Sequence, residues 1–154
     1  MQARAFGKVI LFGEHAVVHG RLALAAALDR GAVASAVPST NGSHLSIGQR
    51  VVSIDDAEDL ARAFRAIVRA VGGDQAIDVE VRSEVPAGAG LGCSAAMGVA
   101  IARAVAHARG HVLGLDDTRR IAGLWEEVFH GNPSGLDVAV AAQGGVLSFR
   151  RGQA

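Results

Sequence analysis

The sequence predicts an α+β fold, a two-layer sandwich of one sheet and one layer of helices. Three observations carry this. Strand-like and helix-like segments succeed one another irregularly, which favours two layers over a doubly wound parallel sheet. Ile77, Val79 and Val81 alternate with Asp78, Glu80 and Arg82, so that strand buries one face and wets the other. Leu60, Phe64, Ile67, Val68 and Val71 fall on one side of a helix, giving it a single core-facing stripe. The chain has 154 residues, half of them apolar, enough for one domain with a sizeable core. It shows no repeat, no low-complexity tract and no interdomain linker.

Met1 to Val18 reads as a strand, a turn and further extended chain. Strict alternation puts Phe6, Lys8, Ile10 and Phe12 on one face. A lysine within that apolar face either snorkels to water from a strand end or aims a cation into a cleft. Arg21 to Leu28 forms a strand or a short buried helix, and Pro38 to Gly42 is a turn cluster. Leu45 to Ile54 gives one or two short strands around Gly48. Asp55 and Asp56 signal the start of the amphipathic helix, and Gly72 with Gly73 closes it.

The strand at Ile77 runs into a glycine-rich loop, and Ser94 to Arg109 is alanine-rich and helical by propensity. Asp116 or Asp117 caps a third helix, with Ile121, Leu124, Trp125 and Val128 as its core stripe. Gly131 to Gly135 is a loop, Asp137 to Ala142 a short helix, and Val146 to Phe149 a final strand.

Charge excludes some functions. Fifteen basic residues balance fifteen acidic ones, so there is no electrostatic footprint for nucleic acid. A single cysteine, Cys93, excludes an internal disulfide framework. The apolar runs Val9–Phe12 and Leu22–Leu28 are too short for a signal core or a membrane span. The expectation is a soluble cytoplasmic protein that uses neither nucleic acid nor membrane.

The glycines cluster where chemistry is expected. Pro86-Ala-Gly-Ala-Gly-Leu-Gly-Cys-Ser-Ala-Ala96 lies between a strand and a helix. Gly88, Gly90 and Gly92 allow close backbone approach to a ligand, and the next helix offers unpaired N–H groups to an anion. Ser94 places a hydroxyl where a phosphate-bound Mg²⁺ can sit. A Walker A loop would need Lys-Ser/Thr after its last glycine, where Cys93 and Ser94 stand. A Rossmann fingerprint would need glycine at Cys93 or Ala95. Alone, the loop is equally a tight turn with no ligand. His107 and His111 are four apart, but Gly110 and the lack of nearby carboxylates weaken them as a metal pair.

This loop resembles the second signature of the GHMP kinases, Pro-x-x-x-Gly-Leu-Gly-Ser-Ser-Ala, with Cys93 in place of the first serine. Gly7-Lys-Val-Ile-Leu-Phe-Gly-Glu-His-Ala-Val-Val-His-Gly20 resembles the first signature of the mevalonate kinases within that superfamily. Glu126-Glu-Val-Phe-His-Gly-Asn-Pro-Ser-Gly-Leu-Asp137 resembles their segment ending in the catalytic aspartate, and Gly144 to Phe149 continues the match.

The resemblance implies the N-terminal domain fold of GHMP kinases, related to folds of ribosomal proteins, over residues 1–154. It implies ATP and Mg²⁺ as cofactors and transfer of phosphate to the C5 hydroxyl of mevalonate. Pro86, Gly88, Ala89, Gly90, Leu91, Gly92, Cys93, Ser94 and Ala95 would hold the ATP phosphates, with Ser94 and Glu126 on Mg²⁺. Asp137 would be the base, Lys8 the active-site cation, and Glu14, His15 and Ser134 the mevalonate contacts. Periodicity does not choose between Glu126 and Glu127, since both leave the core stripe.

The family fold also has a second domain with another glycine motif, which is absent from this sequence. The expectation is therefore an exposed interdomain face that meets a complementary C-terminal kinase domain or a second copy. Two other readings are a non-catalytic nucleotide-binding module and a GHMP kinase for another small alcohol or phosphorylated substrate. RNA binding would rest on fold analogy alone.

Overall fold

The computed structural model describes residues 2–152. Six strands form one sheet: β1 (Gln2–Phe12), β2 (Ala23–Pro38), β3 (His44–Ile47), β4 (Arg50–Ser53), β5 (Ile77–Ser83) and β6 (Val146–Phe149). Four helices cover it: α1 (Asp59–Val71), α2 (Cys93–Ala108), α3 (Leu115–His130) and α4 (Leu136–Gln143). The expected α+β architecture is present.

β2 is the spine of the sheet. β1 runs antiparallel along one of its edges. Its other edge is divided, with β6 pairing Ala23–Ala26 and β5 pairing Ala32–Pro38. The order continues from β5 to β3 and β4, with β3 parallel to β5. Of the segment Arg21 to Leu28, residues 23–28 are thus strand rather than helix, and the strand extends ten residues further. Residues 45–54 form two strands about a turn in which Gly48 has φ 60°.

The alternation expected of β1 fails at two register shifts, between Phe6 and Gly7 and between Ile10 and Phe12. Each shift disrupts the ladder and re-aims the side chains beyond it. Ala3 and Ala5 face the core, Phe6 and Phe12 are exposed, and Lys8 is 5% exposed. The apolar face imagined around Lys8 is therefore not there. Instead the bulge brings Lys8 inward, and the cleft reading of this lysine holds over the snorkelling one.

α2 is apolar on all sides because it is buried on all sides. It packs on β1, β2 and β5 and carries α3 on its back. Its small residues permit this: a Cβ added at Gly98 would lie 3.0 Å from the Trp125 ring. Trp125 and Phe64 are fully buried where α1, α2 and α3 meet. α1 begins at Asp59 rather than at Asp55 or Asp56. Asp56 is diverted to accept the Ser53 N–H at 2.8 Å, which forms a turn and delays the helix. The N-cap of α3 is Gly114, with Asp116 and Asp117 in the first turn beside the helix dipole.

Candidate active site

The glycine loop is closed by its own ends. The Cys93 thiol donates to Ser83 Oγ at 3.2 Å, and Ser83 Oγ also receives the Val85 N–H at 3.2 Å. Lys8 N–H donates to Leu91 O at 2.9 Å, tying the loop to β1. Gly88, Gly90 and Gly92 all have positive φ, between 72° and 75°. Alternation of such glycines with ordinary residues turns successive amides into a concave anion-binding surface. Among the described residues, none of the N–H groups from Gly90 to Ala95 donates to a protein acceptor. Pro86 and Ala89 lie exposed on the loop without lining its cleft.

Behind the loop stand four side chains from four elements. Lys8 Nζ lies 3.2 Å from Asp137 Oδ2. Ser94 Oγ, in the first turn of α2, donates to Glu126 Oε1 of α3 and accepts the Trp125 indole N–H at 3.2 Å. Glu126 is 4% exposed whereas Glu127 faces solvent. Packing makes the choice that periodicity left open. Burial pushes the Glu126 carboxyl above its ordinary range, reinforced by Asp137 and opposed by the Ser94 hydroxyl, His130 and Lys8.

Asp137 does not cap α4. It is the second residue of the helix, whose N-cap is Gly135 at φ 86°. The Leu136 N–H is received by Ser134 Oγ at 3.2 Å, which leaves the Asp137 carboxylate free for Lys8.

Three clefts meet here. The first is polar, about 230 Å³, and is lined by Glu14, Val17, Val18, Pro133, Ser134 and Gly135 beside Lys8, Glu126, His130 and Asp137. The second follows the glycine loop from Gly88 to Ala95 and shares those last four residues. The third is apolar, about 480 Å³, lined by Ile47, Leu60, Met97, Trp125 and Phe129, and it joins the loop at Ser94 and His130. His15 is exposed and lines none of them.

His130 lines all three clefts and sits 3.8 Å from Glu126 Oε2. Sequence reasoning missed it. The available signal was its spacing of four from Glu126, which puts both on one side of α3.

The residues fit a hard divalent cation. Glu126 is a buried carboxylate that, among the described residues, has no lysine or arginine as an ion-pair partner, only the His130 ring at 3.8 Å, while the Lys8 charge is directed to Asp137. A hydroxyl and a carboxylate side by side are oxygen donors of the kind Mg²⁺ takes when phosphates and water complete its shell. Among the described residues there is no group of three or more His, Cys, Asp or Glu able to hold a metal without such help. Among the described residues, no helix is long and apolar enough to cross a membrane.

Comparison with known proteins places the chain in a family. The mevalonate kinase of Aeropyrum pernix is 34% identical across 99% of this chain and 51% of its own length. The Bos taurus mevalonate kinase is 32% identical across 96% of this chain and 53% of its own. The crystal structure of the L. major mevalonate kinase, in complex with R-mevalonate, superposes with a TM-score of 0.80. It is 26% identical and covers 99% of this chain and 49% of that one. The chain thus spans about half the length of the curated relatives it matches. The family model for the GHMP kinases N terminal domain matches residues 58–145, more than half of the sequence and the stretch that holds the glycine loop, Glu126 and Asp137. The chain belongs to the GHMP kinases.

Proposed function

We propose that residues 1–154 form the ATP-binding N-terminal domain of a mevalonate kinase, which moves the γ-phosphoryl group of ATP to the C5 hydroxyl of mevalonate. One observation carries the reading: Lys8, Glu126, His130 and Asp137 are a common wall of the glycine-loop cleft and the polar cleft. A group passing from a donor in one to an acceptor in the other must pass these residues.

The free amides of the loop and the first turn of α2 cradle the ATP phosphates, and the apolar cleft of Ile47, Met97 and Phe129 suits the base. Ser94 and Glu126 would hold Mg²⁺, which neutralises phosphate charge when bound. Mevalonate enters the polar cleft, where Glu14 and Ser134 meet its polar groups. Asp137 receives the proton of the C5 hydroxyl as that oxygen attacks the γ-phosphorus, whose bond to the β-phosphate oxygen breaks so that ADP leaves. Lys8, beside Asp137, stabilises the negative charge developing on the attacking oxygen. Lys8, Ser94, Glu126 and Asp137 are all present and mutually paired, which favours an enzyme over a non-catalytic module.

The exposed side chains Phe12 (72%), Leu22 and Val146 (66%) lie in the β1–β2–β6 region, Phe12 opposite Leu24 and Val146 opposite Ala26. Such a surface suits a complementary C-terminal kinase domain or a second copy. The test is ATP turnover with mevalonate, for this chain alone and then mixed with the C-terminal half of a related kinase. Turnover alone or on mixing supports the reading. Failure to bind nucleotide, or turnover only with a different alcohol in a panel of acceptors, counts against it.

A further inference from the structure

The polar cleft has two walls from distant parts of the chain. Glu14, Val17 and Val18 come from the turn after β1, and Pro133, Ser134 and Gly135 from the loop between α3 and α4. Among the described residues no hydrogen bond runs directly between these two segments. They are joined instead through Arg151, two residues beyond β6. Its Nη1 donates to Val18 O at 3.3 Å, and its Nη2 donates to Asn132 Oδ1. Asn132 immediately precedes Pro133. A guanidinium suits this task because its donors are fixed in one plane and can serve two acceptors without further loss of freedom.

The strand that carries Arg151 is itself seated under the same cleft. Phe149 packs against the buried cluster that contains Val17 and Leu136, and a Cβ at Gly135 would lie 3.6 Å from its ring. Neither Phe149 nor Arg151 lines the cleft.

We propose that Arg151 is a positioning residue that clamps the two walls of the polar cleft and so sets affinity for the acceptor alcohol, without touching it. The inference rests on the reading of that cleft as the acceptor site. Loss of the clamp leaves the glycine loop unchanged, because no bond of Arg151 reaches it. The signature is therefore selective: acceptor binding weakens and nucleotide binding does not.

The experiment titrates R-mevalonate calorimetrically into the full chain saturated with a non-hydrolysable ATP analogue, and the analogue alone in parallel. Arg151→Ala should weaken mevalonate binding by about 5- to 20-fold, with nucleotide affinity within about twofold of wild type. Asn132→Ala should weaken mevalonate similarly, and the double variant should add little, since both remove one bridge. Arg151→Lys, able to serve one acceptor, should fall between. Unchanged mevalonate affinity in Arg151→Ala, a parallel loss of nucleotide affinity, or full additivity would overturn the proposal.

If wild type binds no mevalonate, the functional reading falls, and the substrate role with it. The clamp is then judged by hydrogen exchange of the unliganded chain. Arg151→Ala should speed exchange at His19, Gly20 and Gly131, and unchanged exchange there would end the idea.

Discussion

Lys8 Nζ stands 3.2 Å from Asp137 Oδ2, joining the bulged first strand to the first turn of α4. The lysine side chain is nearly closed off from solvent while the carboxylate is about one-third exposed. Removing either partner strands the other's charge. Asp137→Asn and Lys8→Met should each lower turnover by at least about 100-fold, with nucleotide affinity changed by less than about fivefold. Steady-state kinetics and nucleotide titration separate the two, and near-normal turnover in either variant would remove the assignment.

Glu126 gives a pH prediction with a definite sign. Burial raises its folded-state pKa above the ordinary value of 4.5. As pH climbs from that value through the raised one, the folded state holds more proton than the unfolded state, so stability falls. Glu126→Gln should flatten this decline and raise the neutral-pH Tm by about 2–5 °C. The same variant should lose the stabilisation that Mg²⁺ adds to ATP binding, because the amide has no charge to give. Thermal melts at several pH values, with and without MgATP, read both effects. A lower neutral-pH Tm in the variant would contradict the first.

Gly92 is where loop and lysine touch. It has φ 72°, and a Cβ there would approach Lys8 Cγ to 2.6 Å. Gly92→Ala therefore meets backbone strain of about 1–2 kcal/mol and a clash with the stem of the lysine. Turnover and nucleotide affinity should both fall by about 10-fold or more, since the loop and Lys8 move together. Retention of both would mean that the loop does not carry phosphate.

Cys93 offers a chemical probe. Its thiol is partly exposed within the loop and bonds Ser83. Alkylation should block nucleotide binding, and ATP should protect the thiol. Cys93→Ser should resist the reagent and keep nucleotide affinity within about threefold, because backbone amides do most of the cradling. Quenching of Trp125, the single tryptophan and a partner of Ser94, reads binding directly. Full ATP affinity after complete alkylation would sink this prediction.

Much of the site was legible in the sequence because its residues sit in three short, unusual segments. Lys8, Ser94, Glu126 and Asp137, named from those three segments, are brought together at one cleft. The inward aim of Lys8 was hidden, because it depends on a bulge set by β2 and not by β1's own alternation. Glu126 and Glu127 differ only through the packing of α3 against α2, which a single helix's periodicity cannot contain. Asp56 looked like a helix start because its side chain can cap, and it does bond a backbone N–H, but one in a turn. Arg151 was invisible for a related reason, since folding alone brings its partners close, whereas His130 was signalled only by its spacing of four from Glu126.

The divided edge of β2 has a mechanical consequence. Seven residue pairs hold β5, the strand that delivers the glycine loop, whereas four hold β6, the strand beside the polar cleft. The sheet thus has a seam, with ladders of unequal length on its two sides. Fraying of the shorter ladder would loosen the wall of the polar cleft while the longer ladder keeps the glycine loop in place. One continuous strand thus supports the two clefts through ladders of unequal length.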